Sequence, residues 1–212
     1  MSHWFRKTFP VPPLSCNCSI LADLHTKEAI VVDPGGNSEK ILYELQSLNL
    51  RVLAIVHTHA HLDHFLASGK IKEATGAPLC LHKKDQDLWN ILEIQCRMFG
   101  VPYIPVPPPD LEIQEGETIT VGQFSGLVLH TPGHTPGSVC FYFDETGILL
   151  TGDTLFRGGI GRTDLWGGDS QAIEHSIREK LYTLQEKTIV VPGHGPESSV
   201  GWEREYNIFV TA

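Results

Sequence analysis

Residues 56–64, read VHTHAHLDH, place four histidines and an aspartate within nine positions. The apolar run RVLAIV at residues 51–56 predicts a buried strand before them, and FLASGKIKEATG at residues 65–76 predicts a helix after them that ends at Gly76. The cluster therefore lies on a turn between a strand and a helix. Because neutral imidazoles and carboxylates are good ligands for divalent transition metals, this turn is a candidate metal site.

The spacing within the turn divides its ligands. His59 and His61 are separated by one residue and can face one ion, while Asp63 and His64 follow on the other side of the turn and can hold a second. The alternative is that these are solvated loop residues, which a single histidine would favour but this density does not. His57 also lies two residues before a histidine and could mimic a ligand. Only a pattern that starts at His59 puts Asp63 and His64 at the expected spacing, so His57 is expected to support the ligands or to belong to the strand.

Composition limits the class of protein. The 212 residues suit one large domain or two small ones, of which a single domain over residues 1–212 is preferred, and the 41% hydrophobic content is that of a globular chain with a sizeable core. The net charge of −9 argues against nucleic acids and anionic membranes as partners, and no apolar run is long enough to cross a bilayer. The first residues lack the apolar segment of a signal peptide. The oligomeric state stays open.

Cysteine usage indicates a reducing compartment. The five cysteines are odd in number and show no disulfide framework. The pair Cys16 and Cys18 could bind a metal, but small, reduced strand residues are the preferred interpretation. A cytoplasmic location is therefore predicted.

Alternating and helical patterns predict the remaining elements. Helices are expected after the capping residues Asn37 or Ser38, over 84–98, and after Asp169 or Ser170. Strands are expected at residues 3–9, 19–22, 28–32, 78–81, 117–121, 127–130, 139–143, 148–150 and 188–191. Strands and helices alternate in each half, which predicts two sheets packed together with helices outside. The proline-rich residues 101–109 favour an extended path, either as a surface loop or as a wall of a substrate cleft.

Three further strand ends carry a ligand-type residue beside glycine: TPGHTPG at 131–137, TGD at 151–153 and PGHGP at 192–196. Glycine and proline fix the backbone and leave no bulky side chain around the ligand. Ligands from such distant segments can meet only if the strand ends share one edge of the fold. The predicted sets are His59, His61 and His134 for one ion, Asp63, His64 and His194 for a second, and Asp153 as a bridge.

Such a donor set suits hydrolysis. A water held between two ions is acidified to a pKa of roughly 7, which makes it a nucleophile at neutral pH. Asp63 and Asp153 are the candidate catalytic residues. Two divalent ions are expected, zinc first, with iron or manganese also suited to these donors.

The motifs together resemble a known family. THAHLDH at 58–64, TPGHTPGS at 131–138, LTGDTLF at 150–156, GRTD at 161–164 and PGHGP at 192–196 are similar to those of the metallo-β-lactamase superfamily and, within it, of the type II glyoxalases, the hydroxyacylglutathione hydrolases. The resemblance implies an α+β fold, an αββα sandwich of two mixed β-sheets with helices on the outer faces and metals at one edge of the sheets. Long glyoxalases carry a C-terminal helical domain that supplies basic residues for glutathione. This chain resembles the short, single-domain branch, which lacks it.

The resemblance also implies an activity. The expected enzyme is a metal-dependent thioester hydrolase that cleaves S-D-lactoylglutathione, or a related acylglutathione, to a hydroxy acid and glutathione by attack of a metal-bound hydroxide. A thiol pKa near 8.5 makes glutathione a good leaving group. Alternatives are a persulfide dioxygenase with one iron on His59, His134 and Asp153, a lactonase acting on a cyclic ester, and a non-catalytic metal-binding protein.

Other charged residues have two interpretations each. Arg162 is the candidate for binding a substrate carboxylate, because guanidinium binds one bidentately, but it could instead pair with Asp164. Asp33 could orient a ligand histidine, or it could serve only the turn after its strand. The histidines outside these motifs are expected to be surface or core residues: His3, His25, His82, His130 and His175.

Overall fold

The computed structural model describes residues 3–211, and the chain divides into two compact units. The N-terminal unit comprises residues 1–113 with 120–124, and the C-terminal unit comprises residues 114–119 with 125–212.

The first sheet contains six strands that follow one another in chain order. They are β1 (Trp4–Val11), β2 (Cys16–Asp23), β3 (Glu28–Val32), β4 (Arg51–Val56), β5 (Leu79–Leu81) and β6 (Leu111–Glu112). The first three pair antiparallel, and β3 to β6 pair parallel. Parallel pairing aligns the carboxyl ends of β3 and β4, so Asp33 and the histidine turn leave the sheet at the same edge.

The helices of this unit are shorter than the sequence predicts. They are α1 (Ser38–Ser47), α2 (Leu62–Phe65), α3 (Ser68–Thr75), a 3₁₀ turn (Lys83–Asp85), α4 (Gln86–Asn90) and α5 (Leu92–Met98). The Asn37 side chain caps α1 by accepting from the amide of Lys40, as predicted. The helix predicted over 65–76 begins earlier, at Leu62, and is interrupted before α3, so Asp63 and His64 are helical rather than loop residues.

The second sheet also has six strands, which are β7 (Thr118–Val121), β8 (Phe124–His130), β9 (Val139–Phe143), β10 (Ile148–Gly152), β13 (Ile189–Pro192) and β14 (Ser198–Ser199). Their order in the sheet is β14-β13-β10-β9-β8-β7. β10 pairs parallel with β13 and antiparallel with β9, so this sheet is also mixed. The parallel pair aligns the ends of two strands that lead into Asp153 and His194.

The remaining elements follow the strands. A two-stranded hairpin consists of β11 (Leu155–Phe156) and β12 (Gly159–Ile160), and the helices are a 3₁₀ turn (Asp144–Thr146), α6 (Ser170–Ser176), a π-helical turn (Ile177–Leu181) and α7 (Val200–Tyr206). Asp169 caps α6 by accepting from the amides of Gln171 and Ala172, as predicted. The sequence patterns missed β6, the hairpin, β14 and α7. Two-residue strands are too short to show an alternation, and only Val200 and Glu203 of α7 are buried.

Each unit has its own apolar core. Phe65, Ile20 and Ile55 are among the fully buried residues of the first, and Ile173, Ile177 and Val190 are among those of the second. Burial of one such side chain contributes about 1.5–3 kcal/mol. Cys16 and Cys18 are buried residues of β2 and form no disulfide, so their placement on a strand is as predicted.

Two mixed sheets with helices confirm the predicted α+β class. The assignment of residues 1–212 to a single domain stays a prediction. Over residues 3–211, no helix combines the length and apolarity that crossing a membrane requires.

Candidate metal centre

The histidine turn of the N-terminal unit brings three imidazoles together. His59 Nε2 lies 3.1 Å from His61 Nδ1, and the His59 ring centroid lies 4.1 Å from that of His64. His59 and His64 are fully buried and His61 is half-buried, at the N-cap of α2. The predicted pairing of His59 with His61 is therefore present.

Asp33 organises this turn, which supports the first of its two interpretations. Its carboxylate accepts hydrogen bonds from the amide of Thr58 at 2.8 Å and from the Thr58 hydroxyl at 2.7 Å. It also lies 3.0 Å from His64 Nδ1. One buried carboxylate at the end of β3 thus binds both ends of the segment that carries the ligands.

These contacts assign the histidine tautomers. The Thr58 hydroxyl gives its proton to Asp33, so its oxygen accepts from His59 Nδ1 at 3.0 Å. His64 Nδ1 donates to Asp33 in the same way. The Nε2 atoms of both histidines therefore carry lone pairs, and a carboxylate that orients an imidazole from behind is typical of metal sites.

Cys16 touches the same histidine as a neutral thiol. Its Sγ lies 3.4 Å from His64 Nδ1. Burial raises the pKa of Cys16 to about 12, despite the neighbouring imidazole, and it also raises the pKa of Cys18. Both thiols are neutral at physiological pH, so the sulfur atoms act as small apolar groups.

Two buried side chains from the 83–98 segment hold the backbone on either side of His61. Asp85 accepts from the amide of Ala60 at 2.9 Å. Gln95 accepts from the amide of Leu62 at 3.1 Å and donates to the carbonyl of Ala60 at 3.0 Å. Sequence reasoning missed both residues, because neither belongs to a motif and both lie far along the chain from the turn they hold.

His57 is a supporting residue of the turn and not one of its candidate ligands. Its Nδ1 donates to the carbonyl of Cys80 at 3.0 Å, and its Nε2 accepts from the Ser68 hydroxyl at 2.8 Å. The ring stacks on Phe65 with centroids 3.5 Å apart and planes 13° apart. Burial lowers the pKa of His57 to about 4, so the ring is neutral and both of its nitrogens are committed to structural contacts.

Glycine is required in the DPGG turn at residues 33–36, because this turn packs against the backbone of α2. A Cβ atom on Gly35 would lie 1.5 Å from the backbone oxygen of Asp63, so only glycine permits this approach. The turn after β3 thus packs directly on α2, the helix that carries Asp63 and His64.

The C-terminal unit brings together the ligands of its three turns. Asp153 Oδ2 lies 3.6 Å from His134 Nε2 and 3.6 Å from His194 Nε2. Both separations are too long for hydrogen bonds. Two ligand atoms that each lie about 2.1 Å from one tetrahedral ion are about 3.4 Å apart, so these separations fit ligands that share ions.

Backbone contacts set the orientation of His134. Its Nδ1 lies 2.8 Å from the carbonyl of Arg162, to which it donates, so Nε2 presents a lone pair towards Asp153. Gly161, in the same GRTD motif, lies so close to the turn that a Cβ atom would be 1.8 Å from the carbonyl oxygen of Asp153. The GRTD segment therefore positions one ligand directly and packs against another.

Arg162 itself is paired. Its Nε and Nη2 donate to the two carboxylate oxygens of Asp164 at 2.7 and 2.8 Å, the alternative considered for it. The guanidinium holds the pKa of Asp164 at about 2. Because both side chains are exposed, the pair can exchange with a substrate carboxylate, and the substrate-binding role of Arg162 stays a prediction.

The chain matches the family model of the metallo-beta-lactamase superfamily over residues 11–194. Among curated relatives, the hydroxyacylglutathione hydrolase GloC of Haemophilus influenzae is 38% identical over 205 residues, which cover 96% of each chain.

Two solved structures share the fold. The BLEG-1 B3 metallo-beta-lactamase has a TM-score of 0.91 and 38% identity, and the comparison covers 98% of this chain and all of that one. TTHA1623, in a di-iron-bound form, has a TM-score of 0.87 and 36% identity, covering 96% of this chain and all of that one. The predicted fold family is therefore confirmed, and the chain belongs to the metallo-β-lactamase superfamily as one of its metallo-hydrolases.

Proposed function

We propose that this chain is a dinuclear thioester hydrolase that cleaves S-D-lactoylglutathione or a related acylglutathione to a hydroxy acid and glutathione. Three of its histidines, His59, His61 and His134, would hold one ion. Asp63, His64 and His194 would hold the second, with Asp153 as a ligand to both.

The observation that carries the proposal is the position of Asp153. One of its carboxylate oxygens lies at the same distance, 3.6 Å, from the Nε2 atoms of two histidines. His134 is fixed in the tautomer that directs its lone pair to that oxygen. An oxygen facing two imidazoles in this way is suited to bridge two cations.

The similarity to GloC supports the choice of substrate. That relative is named for the hydrolysis of hydroxyacylglutathione, and its similarity to this chain extends over nearly the full length of both. The net charge of −9 also disfavours nucleic acids or anionic membranes as substrates. We therefore place the substrate among small thioesters.

In this mechanism, the residues around the site orient the histidines that would bind the ions. Divalent ions bound here would acidify a water and polarise the thioester carbonyl. Asp33 and the Arg162 carbonyl hold protons on the Nδ1 atoms of His64 and His134, which keeps both Nε2 atoms unprotonated for ligation. The Cys16 sulfur lies 3.4 Å from His64 Nδ1, the nitrogen that faces Asp33, and so stands behind this ligand histidine. The thiol leaving group needs no strong general acid, because its pKa is near 8.5. Asp63 and Asp153 remain the candidate catalytic residues.

The ligand assignment is tested by substitution. Asp153→Ala and His134→Ala should each abolish hydrolysis of S-D-lactoylglutathione while the far-ultraviolet circular dichroism stays that of the wild type. Asp144→Ala, which removes a carboxylate of the same unit on the 3₁₀ turn after β9, should leave turnover unchanged. Retained activity in either ligand variant would contradict the assignment.

The rival chemistry is tested on the same protein. A persulfide dioxygenase would consume oxygen with glutathione persulfide and would leave the thioester intact, whereas a lactonase would open a cyclic ester faster than it cleaves the thioester. Hydrolysis of the thioester without oxygen uptake is the expected result.

A further inference from the structure

The hairpin formed by β11 and β12 carries an exposed arginine at its tip. Arg157 follows β11, and its guanidinium carbon lies 5.5 Å from the ring centre of Trp202 on α7. Trp202 in turn contacts Tyr206, with ring centroids 5.3 Å apart. A guanidinium over an indole face is held by the cation–π interaction, and its N–H edge stays available to an anion.

Buried polar groups fix the hairpin tip to α7. Glu203 has no exposed surface, and its carboxylate accepts from the amide of Gly158 at 3.0 Å and from the side-chain amide of Asn207 at 2.8 Å. Asn207 also donates to the carbonyl of Gly159 at 3.1 Å. These hydrogen bonds hold the backbone around Arg157 in place. Binding a ligand at Arg157 should therefore cost little conformational entropy of the backbone.

Arg157 differs in its ion pairing from five other arginines of the chain. Within residues 3–211, no carboxylate lies within ion-pair distance of its guanidinium. Five arginines each pair with a carboxylate: Arg51, Arg97, Arg162, Arg178 and Arg204. Arg157 therefore presents a positive charge that its own unit does not neutralise, in a protein whose net charge is −9.

The hairpin also connects this charge to the ligand residues. Phe156, next to Arg157, packs edge-on against His194 with ring centroids 6.3 Å apart. Arg157 is four residues from Asp153, a span of at most about 14 Å in extended chain. A tripeptide is about 10 Å long when extended, so a thiol of that size could place its sulfur at the ligands and a carboxylate at the hairpin tip.

We propose that Arg157, held over Trp202, binds a carboxylate of the peptidic thiol portion of the substrate. This inference rests on the proposed function and deepens it. It places a positive charge for glutathione on the hairpin, beside α7. Arg162, which is already paired with Asp164, would not be the main anion-binding residue.

The test is direct binding, which does not depend on turnover. Glutathione and glutathione diethyl ester, in which both carboxylates are blocked, are titrated into the purified full-length protein by calorimetry. Both ligands carry the same thiol, so any affinity of sulfur for metal cancels in the comparison. The wild type should bind glutathione about tenfold more tightly than the ester, and Arg157→Ala should lose this preference.

Two further variants separate this role from general effects of charge or packing. Trp202→Leu should reduce the preference several-fold by releasing the guanidinium, while Arg178→Ala, which removes an arginine already paired with Glu174, should retain it in full. Equal binding of both ligands by the wild type, no binding of either, or an unchanged preference in Arg157→Ala would overturn the inference. An Arg157-dependent preference in a protein that does not hydrolyse the thioester would contradict only the proposed function.

Discussion

In the N-terminal unit, buried polar side chains hold the ligand turn, whereas in the C-terminal unit close backbone packing and hydroxyl groups hold the ligand turns. Asp33, Asp85 and Gln95 bind the backbone or side chains of the histidine turn. The turns of His134 and Asp153 are instead shaped by glycines that have no room for a side chain and by a hydrogen bond between the hydroxyls of Thr131 and Thr154.

The difference follows from how the ligands are distributed along the chain. The N-terminal unit concentrates four ligands in six residues, and the last three of these residues belong to the single-turn helix α2. A helix of one turn is not stable alone, so tertiary hydrogen bonds must fix its direction. Each turn of the C-terminal unit supplies one ligand, and tight turns can fix one side chain by backbone shape alone. We therefore expect electrostatic changes to damage the first region more than the second. Steric changes should damage the second region, and in the first they should act mainly at Gly35, which packs on Asp63.

The largest effect is expected from a methyl group on Gly133. Its φ is +136°, and a Cβ atom would lie 2.2 Å from the backbone nitrogen of Ile173. Gly133→Ala should lower the free energy of unfolding by more than about 3 kcal/mol, because backbone must move to relieve the clash. Gly195→Ala is the control: its φ is +78°, but the described residues leave open space around the added atom, so about 1–2 kcal/mol is expected. Urea unfolding measures both, and similar losses would contradict the steric account.

The next effect is a pH dependence in the N-terminal unit. The pKa of His57 is about 4 in the folded chain, against 6.5 for an unperturbed histidine, because the ring is buried. Between these values the unfolded chain binds a proton that the folded chain does not. His57 therefore favours folding fully above about pH 6.5, and up to about 3 kcal/mol is lost as the pH falls towards 4.

His57→Gln removes this titration and should flatten the dependence of unfolding free energy on pH between 7 and 5 by about 2 kcal/mol, measured on chelator-treated protein. His175→Gln, which replaces an exposed histidine on α6, should retain the wild-type slope. An unchanged slope in His57→Gln would show that its ring is not held neutral by burial.

The third effect concerns the carboxylate behind the ligands. Asp33→Asn replaces one carboxylate oxygen by an amide NH₂ group. That donor would face the Thr58 hydroxyl or His64 Nδ1, both of which donate to Asp33 in the wild type. It should weaken metal binding 10- to 100-fold and lower the unfolding free energy by about 2 kcal/mol. Competition with a chromogenic chelator measures the affinity. Asp87→Asn, at an exposed position of α4, serves as the control, and equal affinities in the two variants would remove Asp33 from the account.

The smallest effect is expected from the hydroxyl pair of the C-terminal unit. Thr131→Val removes a contact of 3.0 Å to Thr154 and one of 3.3 Å to Cys140. The loss should be about 1 kcal/mol of unfolding free energy with less than a threefold change in metal affinity, since backbone packing still shapes the turn. Thr183→Val, at an exposed position, is the matched control. A metal-affinity loss as large as that of Asp33→Asn would erase the distinction between the two regions.

Local patterns were sufficient for much of the fold. The run RVLAIV predicted β4 with its observed bounds, and Asn37 and Asp169 cap their helices as expected. These signals are local, because strand burial and caps depend on residues a few positions apart. The split between α2 and α3 was not predictable, since it depends on contacts such as the amide of Ala67 with the carbonyl of Pro34.

The ligand residues were also recognisable, but most of their supporting residues were not. Histidines and aspartates beside glycine have a distinctive composition, whereas Asp85, Gln95 and Glu203 resemble ordinary helical surface residues. Their burial becomes apparent only when the chain brings segments 25 to 45 residues apart into contact. Arg157 escaped notice for the same reason, because α7 was not predicted and its tryptophan defines the position of the guanidinium.

The most direct test of the central claim measures metal content and thioester hydrolysis on one purified sample. The account predicts close to two divalent ions per chain together with turnover of S-D-lactoylglutathione. It also predicts that Asp153→Ala loses both turnover and at least one ion. A single iron per chain, no hydrolysis, and oxygen uptake with glutathione persulfide would contradict the dinuclear thioesterase and favour the dioxygenase chemistry of the same superfamily.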